Sequence, residues 1–411
     1  MIGNLGISVY PDLSTVDEIK NYFKLASKYG ATRVFSSMFS VKGTNDEILN
    51  YFERLIYDAH EENLKVSLDV NPMFFEKIGA KFNDLSIFNK INVDILRMDL
   101  DFGVEKNIEL VNNPHNIEIE FNTSVKIANE LIENGVDGSK FLMCHNFYPQ
   151  RYTGLKWNKF LSTNEQLKNV SSDIRIGAFI SSNSKDTHGV WNSVCGLPTV
   201  EKMRTYDIDL QYRLLKATGT IDDILIGNAY ASEKEFYSLY EVINGESLDS
   251  NVQKDKTFKL LSDHGFVDLS KPIKKIKIEV DDGATCTEKE ILFKFFPHVD
   301  LGDSSEWIWR DRMPRFLYSN ESEQIVPRIT NEKMFDVGSV VIVNDNYKHY
   351  AGEVQIVKIP IVNDGTRNLV GRLCENEFDM IELINDRDIV MFIEKEWFNW
   401  DFLKILCGVE Q

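Results

Sequence analysis

The sequence predicts an α/β chain: an N-terminal (β/α)8 barrel over residues 1–250, then a smaller β-rich domain over residues 251–411. Three observations predict it. Short apolar runs alternate with amphipathic helical stretches, this unit recurs eight times, and the alternation then gives way to short β-type runs. Eight units in about 245 residues is the length of a (β/α)8 barrel. An open doubly wound sheet is the competing architecture, but no G-x-G-x-x-G follows the first run.

In chain order, residues 5–9 form a compact apolar run stopped by Tyr10 and Pro11, which reads as a buried strand. Thr15-x-x-Glu18 is a capping-box spacing, and Val16, Ile19, Phe23 and Ala26 share the helical face that follows. Gly30 supplies a stop. Residues 33–39 make the second strand, and Thr44-x-x-Glu47 opens a helix with Ile48, Phe52, Leu55 and Ala59 inward. Further strands are expected at 65–70, 95–100, 117–122, 141–146, 174–180 and 223–228. Residues 246–270 are polar and read as irregular. Beyond them, strands are expected at 276–280, 291–295, 339–343, 352–357, 369–373 and 389–393, the pattern of a β-barrel or sandwich.

Composition narrows the function. The 411 residues are 43% hydrophobic and 27% charged, enough to bury a large core without disulfides or metals. Lys and Arg number 46 against 64 Asp and Glu, a net charge of −18, which repels phosphate backbones and anionic headgroups. Nucleic acid and membrane surfaces are therefore not expected partners. Cys144, Cys195, Cys286, Cys374 and Cys407 are far apart and form no C-x-x-C, so they read as reduced thiols. The histidines are scattered without an H-E-x-x-H, so neither a metal nor another cofactor is expected. The first ten residues lack a basic segment and a long apolar core, and no run reaches ~18 apolar residues. A cytoplasmic location is the expectation.

Barrels of this kind carry their chemistry at the carboxyl ends of the strands. The polar residues there are Tyr10, Ser36, Ser37, Asp69, Asn71, Arg97, Asp99, Asp101, Glu120, Asn122, His145, Asn146, Tyr148 and Asn228. Asp69, Asp99 and Glu120, on adjacent strands, make a carboxylate-lined mouth, and paired carboxyls are the usual equipment for cutting glycosidic bonds. The plainer alternative is that each acid caps the next helix or pairs with Arg97. His145-Asn146-Phe147-Tyr148-Pro149 offers donors for sugar hydroxyls and a ring to stack on, or else a rigid loop. Cys144 and His145 are strand neighbours and point to opposite faces, which rules against a dyad. Further on, Trp307, Trp309, Arg310, Arg312 and Arg315 fall within nine residues. They form either an anion-and-sugar site or counter-charges for local carboxylates.

The strings LGISVYPDLST, RMDLDFG, NNPHNIEIEFNTS, CHNFYPQRYTGLK, GLPTVEKMR and TGTIDDILIGNAYAS resemble the bacterial 6-phospho-N-acetylmuramidases. FDVGSVVIVNDNYKHYAGEVQIVK and RNLVGRL look like that family's C-terminal domain. The resemblance implies a TIM barrel with a cyclophilin-like β-barrel. It also implies a cytoplasmic glycoside hydrolase that splits a 6-phosphorylated N-acetylmuramic acid–N-acetylglucosamine disaccharide in cell-wall recycling. By position, Asp69, Arg97, Asp99, Glu120, Asn122, His145, Asn146, Tyr148 and Asn228 match the family's strand-end motifs. Asp101 stands where a glycine is usual, and residues 188–195 differ from the usual Gly-Pro-rich loop. Tyr318-Ser319 and Glu323 stand where many members have arginines, which turns attention to Arg310, Arg312 and Arg315 for the substrate's anionic groups. A sugar-phosphate binding protein without turnover is the alternative. For mechanism, one of Asp99 and Glu120 is expected to be the acid, and the other, with Asn122, to hold the acetamide or nucleophilic partner; Asp69 and Asp101 are the next acids in line.

Overall fold

The computed structural model describes residues 4–38, 41–244, 252, 254–295, 297–318, 324–328 and 332–395. The chain divides into two compact units, Met1–Ile243 and Asn244–Gln411. The division expected near residue 250 falls in 245–251, outside the described residues. No helix among the described residues is long and apolar enough to cross a membrane.

In the first unit, eight strands follow in order: β1 Asn4–Ser8, β2 Ala31–Ser37, β3 Lys65–Val70, β4 Ile95–Met98, β5 Glu118–Asn122, β6 Phe141–Cys144, β7 Arg175–Ile180 and β8 Asp223–Ile226. Each pairs in parallel with the next and β8 returns to β1, closing the barrel. Both capping boxes form as the spacing predicts: the Glu18 carboxylate accepts from the Thr15 N–H at 2.7 Å, and Glu47 does the same for Thr44 at 2.8 Å. Such caps stabilise a helix start by about 1 kcal/mol each. Ile19, Tyr22, Phe23 and Ala26 form the buried face of the helix Val16–Lys28. Val16, expected inward, is 39% exposed; Tyr22 takes its place.

Register decides what meets inside the barrel. Ser37 pairs with Asp69, Asp69 with Arg97, and Arg97 with Glu120, so one step of the ladder carries three charged side chains across β3, β4 and β5. Side chains two apart share a face, which puts Asp99 above Arg97 and Asn122 above Glu120. Only a glycine fits opposite Cys144: a Cβ on Gly177 would stand 2.9 Å from the thiol sulfur.

The second unit contains β9 Lys274–Val280, β10 His298–Val299, β11 Ile308–Asp311, β12 Met334–Phe335, β13 Ser339–Val343, β14 Val354–Val357, β15 Ile361–Val362, β16 Arg367–Leu373 and β17 Ile389–Glu394. Seven of these make one sheet in the order β10-β17-β9-β16-β13-β14-β11, nearly closed because its two edge strands approach each other. β12 pairs with β15 alone.

Two expectations are corrected here. The run 291–295, expected as a strand, is the end of a helix, Cys286–Phe293, opened by a complete capping box between Thr285 and Glu288. The cap fixes helical geometry before the apolar run begins, so the run buries Ile291 and Leu292 from a helix face. Within 246–270, expected as irregular, Lys256–Asp263 is a helix capped by the Asp255 side chain. Its Phe258 and Leu261 lie against the core formed by Val267, Ile273, Val299, Ile389 and Met391.

Candidate active site

Alternating charges run up through the barrel interior. Arg175 donates to Asp223 at 2.8 Å, and Arg33 approaches the same carboxylate at 3.5 Å. Arg33 reaches Glu120 at 2.6 Å, Arg97 reaches Glu120 at 3.0 Å, and the Arg97 Nε lies 3.9 Å from Asp69. Buried carboxylates persist only when paired, and here Glu120 has a guanidinium on each oxygen. Burial alone would raise the Glu120 carboxyl, but Arg33 and Arg97 outweigh it and hold it below its ordinary value.

Asp69 ends the series and is treated differently. Among the described residues the guanidinium paired with it, that of Arg97, stands off at 3.9 Å, and its Oδ1 is buried without a hydrogen-bond partner. Burial pushes the Asp69 carboxyl up to about 7; Arg97 pulls it back only in part, and the charges of Asp99 and Glu120 push the same way as burial. Two carboxyls one strand apart are therefore driven in opposite directions, which is the usual basis for an acid and an anion sharing a site.

The remaining contacts frame this pair. Arg97 Nη2 donates to Asn122 at 2.7 Å and to Asn146 at 2.5 Å, while its guanidinium lies over the rings of Phe35 and Phe179 at 5.9 and 5.8 Å. Asn122 Nδ2 donates to the Asp99 carbonyl at 2.6 Å, fixing the strand end that carries the half-buried Asp99. Tyr148, also half-buried, follows on a loop gripped by Arg204. That guanidinium donates to the carbonyls of Tyr148 (3.0 Å), Cys195 (3.1 Å), Gly196 (3.0 Å) and Gln150 (3.2 Å), and to Glu201 at 2.6 and 2.8 Å. Glu201 in turn accepts from the N–H groups of Tyr152 and Gly154. Arg204→Met leaves four carbonyls and a carboxylate without this donor. It is expected to raise KM several-fold more than it lowers kcat, as steady-state kinetics on a phospho-sugar glycoside would read.

The structure thus brings together Asp69, Arg97, Asp99, Glu120, Asn122 and Asn146. It corrects four expectations. Glu120 is 1% exposed and held ionised by two arginines, so it has no proton to give as a general acid. Asp101 accepts from the Gly103 N–H and the Asn107 amide, which makes it a turn and helix-start residue. His145 points away from the barrel axis, 3% exposed, bonded to Asn164 at 2.6 Å and packed on Phe160 at 4.8 Å, because it alternates with the inward Cys144. Asn228, 1% exposed, spends its amide on Ser181 and Ser182 and so ties β8 to β7.

Burial lowers the His145 imidazole to about 4. Its folded value lies below its unfolded one, so the folded state binds fewer protons, and stability is lost as pH falls from about 6.5 to 4. His145→Gln is expected to flatten the acid side of the stability curve, by up to about 3 kcal/mol in denaturant titrations at pH 4.5 against pH 7.

Arg310, Arg312 and Arg315 lie in the second unit. Arg310 binds Glu353 through two nitrogens at 2.8 Å each, Arg315 reaches the same carboxylate at 3.1 Å, and Arg312 pairs with Asp303 at 3.2 Å. Tyr350 lies under both Arg310 and Arg315, 5.4 and 5.5 Å from ring centre to guanidinium carbon. Of the two sequence readings, these contacts favour counter-charge. Ser319 and Glu323 lie outside the described residues, as does the side chain of Tyr318.

Sequence reading missed Arg33 and Asp223, although a charged residue within an otherwise apolar strand was the available signal. It also missed Glu235. Barrels often bind phosphate at the loops after the seventh and eighth strands. Here the donors at that place, Ser182 Oγ at 2.7 Å, the Asn183 N–H at 3.0 Å and the Ser232 N–H at 2.8 Å, all point at the Glu235 carboxylate.

A closed parallel barrel with ionisable side chains gathered at the carboxyl ends of β3, β4 and β5 has the architecture of a TIM barrel with its candidate site where such barrels carry their chemistry. The chain belongs to the 6-phospho-N-acetylmuramidase family, a glycosidase family: residues 5–241 match its N-terminal domain and residues 274–393 its C-terminal domain. Among solved structures, it is 29% identical to an uncharacterized protein of B. cereus, covering 96% of this chain and 100% of that one at a TM-score of 0.78. A conserved protein of unknown function from a locus in Enterococcus faecalis is 21% identical over 98% of this chain and 99% of its own, at a TM-score of 0.63, which shows the shared fold. No curated protein matches the chain.

Proposed function

We propose that this protein cleaves a 6-phosphorylated N-acetylmuramic acid–N-acetylglucosamine disaccharide, or a close phospho-sugar relative, in the cytoplasmic recycling of cell-wall material. The observation that carries the reading is the Asp69 carboxyl, its Oδ1 buried without a hydrogen-bond partner among the described residues and its pKa pushed up to about 7 by burial, across β4 from the arginine-held Glu120 in a chain of this family. Asp69 gives its proton to the glycosidic oxygen as the bond to the anomeric carbon breaks. The substrate's own acetamide oxygen attacks that carbon, a route open to N-acetyl sugars. Asp99 takes up the positive charge that develops on the acetamide nitrogen, with Asn122 steadying its strand end. Water then adds at the anomeric carbon, returning a proton to Asp69. Proton transfer and internal attack need neither a metal nor a redox cofactor.

Glu235 fills the cradle after β7 and β8, so the substrate phosphate is recognised elsewhere on the protein. The test is purified protein with the phosphorylated disaccharide and its unphosphorylated counterpart, following release of free N-acetylglucosamine. Release from the phosphorylated form alone supports the reading. Tight binding by calorimetry with no release over hours would reject turnover, and cleavage of an unrelated glycoside in its place would reject the substrate.

A further inference from the structure

We propose that Arg33 is a positioning residue for this reaction: from the middle of the barrel it holds Glu120 and β3 so that Asp69, and no other carboxyl at the mouth, carries the proton. The inference rests on the reading of Asp69 as the acid. Arg33 itself is 4% exposed and lies one step below the mouth, so it acts through its neighbours. Its Nη2 donates both to Glu120 Oε2 at 2.6 Å and to Ser67 Oγ at 2.9 Å. Ser67 is two residues before Asp69 on the same face of β3, so one guanidinium nitrogen links the strand bearing the acid to the buried anion on β5. Its Nη1 faces Asp223 at 3.5 Å, where Arg175 supplies the second cation.

The order of charges explains the need for Arg33. Reading toward the mouth, the sequence is Arg175, Asp223, Arg33, Glu120, Arg97, Asp69. Each inner carboxylate stands between two guanidiniums, and only the last has one. Without Arg33, Glu120 and Asp69 would compete for Arg97 alone, and buried carboxyls that share too little positive charge take up protons together. The groups that bear on Asp69 are Arg97 from β4, Asp99 just past it, Glu120 from β5, and Tyr10 just past β1. The Tyr10 hydroxyl donates to the Gly227 carbonyl and is held neutral by burial. Arg33 sets the balance among these by neutralising Glu120.

The test uses the full chain with Arg33→Met, Arg33→Lys and Glu120→Gln. Two readouts are taken: the pH dependence of kcat/KM on the phosphorylated disaccharide, and the 13C carboxyl titration of Asp69 without substrate. Asp69→Asn identifies the resonance. Arg33→Met is expected to move the alkaline limb and the Asp69 midpoint upward together by roughly one unit, the effect of leaving the Glu120 anion on the next strand but one without its second cation. Arg33→Lys restores most of the shift. Glu120→Gln moves both downward, because it removes an anion. A fall in rate at every pH with limb and midpoint unmoved makes Arg33 merely structural and overturns the proposal. Should Arg33→Met fail to fold, an unmoved midpoint in Glu120→Gln overturns it equally. A midpoint that moves while the rate limb stays put strikes instead at Asp69 as the acid, and the two failures are told apart in this way.

Discussion

Asp69→Asn is expected to lower kcat on the phosphorylated disaccharide by about a thousandfold while leaving an activated aryl glycoside nearly unaffected. The amide keeps the shape of the carboxyl but has no acidic proton, and general acid catalysis contributes about 10²–10⁴. A leaving group of low pKa departs without protonation, so the loss should track leaving-group basicity. The alkaline limb of wild-type kcat/KM, expected near pH 7 as the Asp69 proton is lost, should vanish with the substitution. Stability moves the other way. The folded Asp69 carboxyl lies above its ordinary 3.8, at about 7. Its contribution is thus fully present below pH 3.8 and lost as pH rises through 7. At pH 8 wild type carries an ionised, half-paired buried carboxylate. Asp69→Asn removes that cost, on the order of 3 kcal/mol, and should unfold at higher denaturant than wild type at pH 8 but not at pH 4.

Arg97→Met is expected to be the most damaging single change to the barrel. It strips Glu120 of one of two cations and deprives Asn122 and Asn146 of their shared donor. Breaking a buried ion pair from one side costs about 3–5 kcal/mol, because the remaining charge stays buried. Arg97→Lys should recover little. An ammonium cannot reach Glu120, Asn122 and Asn146 from one planar group while lying flat over Phe35 and Phe179. Arg97→Met combined with Glu120→Gln should be more stable than Arg97→Met alone, since the stranded anion is gone. Denaturant titration of the three proteins measures this directly.

The alternation of apolar runs and helices made the barrel legible, and all eight strands lie where that rhythm puts them. The errors are local and physical. The strand-like pattern in 95–100, 141–146 and 223–228 runs on past the last ladder pairs at Met98, Cys144 and Ile226, because residue type alone does not mark where the ladder stops. The run 291–295 looked like a strand because periodicity cannot separate a short apolar run from a helix end, although Thr285-x-x-Glu288 was visible ahead of it. At the site, Asp69, Arg97, Asp99 and Glu120 were recognisable by residue type and strand position. Their roles were not, because a buried carboxyl's role depends on which guanidinium stands beside it. The partner that settles Glu120 is Arg33, 87 positions away in sequence. His145 was misjudged for a similar reason, since one step of strand parity decides between the mouth and the helix layer. Arg310 is answered by Glu353, 43 positions further on, a pairing invisible to spacing.

The most direct measurement is a crystal structure of the Asp69→Asn protein with the intact phosphorylated disaccharide. The residue 69 amide is expected within hydrogen-bond reach of the glycosidic oxygen, about 2.6–3.2 Å, with Asp99 beside the acetamide. Glu120 should remain bound to Arg33 and Arg97, with no contact to the sugar. A glycosidic oxygen seated against Asp99 or Glu120 instead, with residue 69 out of reach, would contradict it.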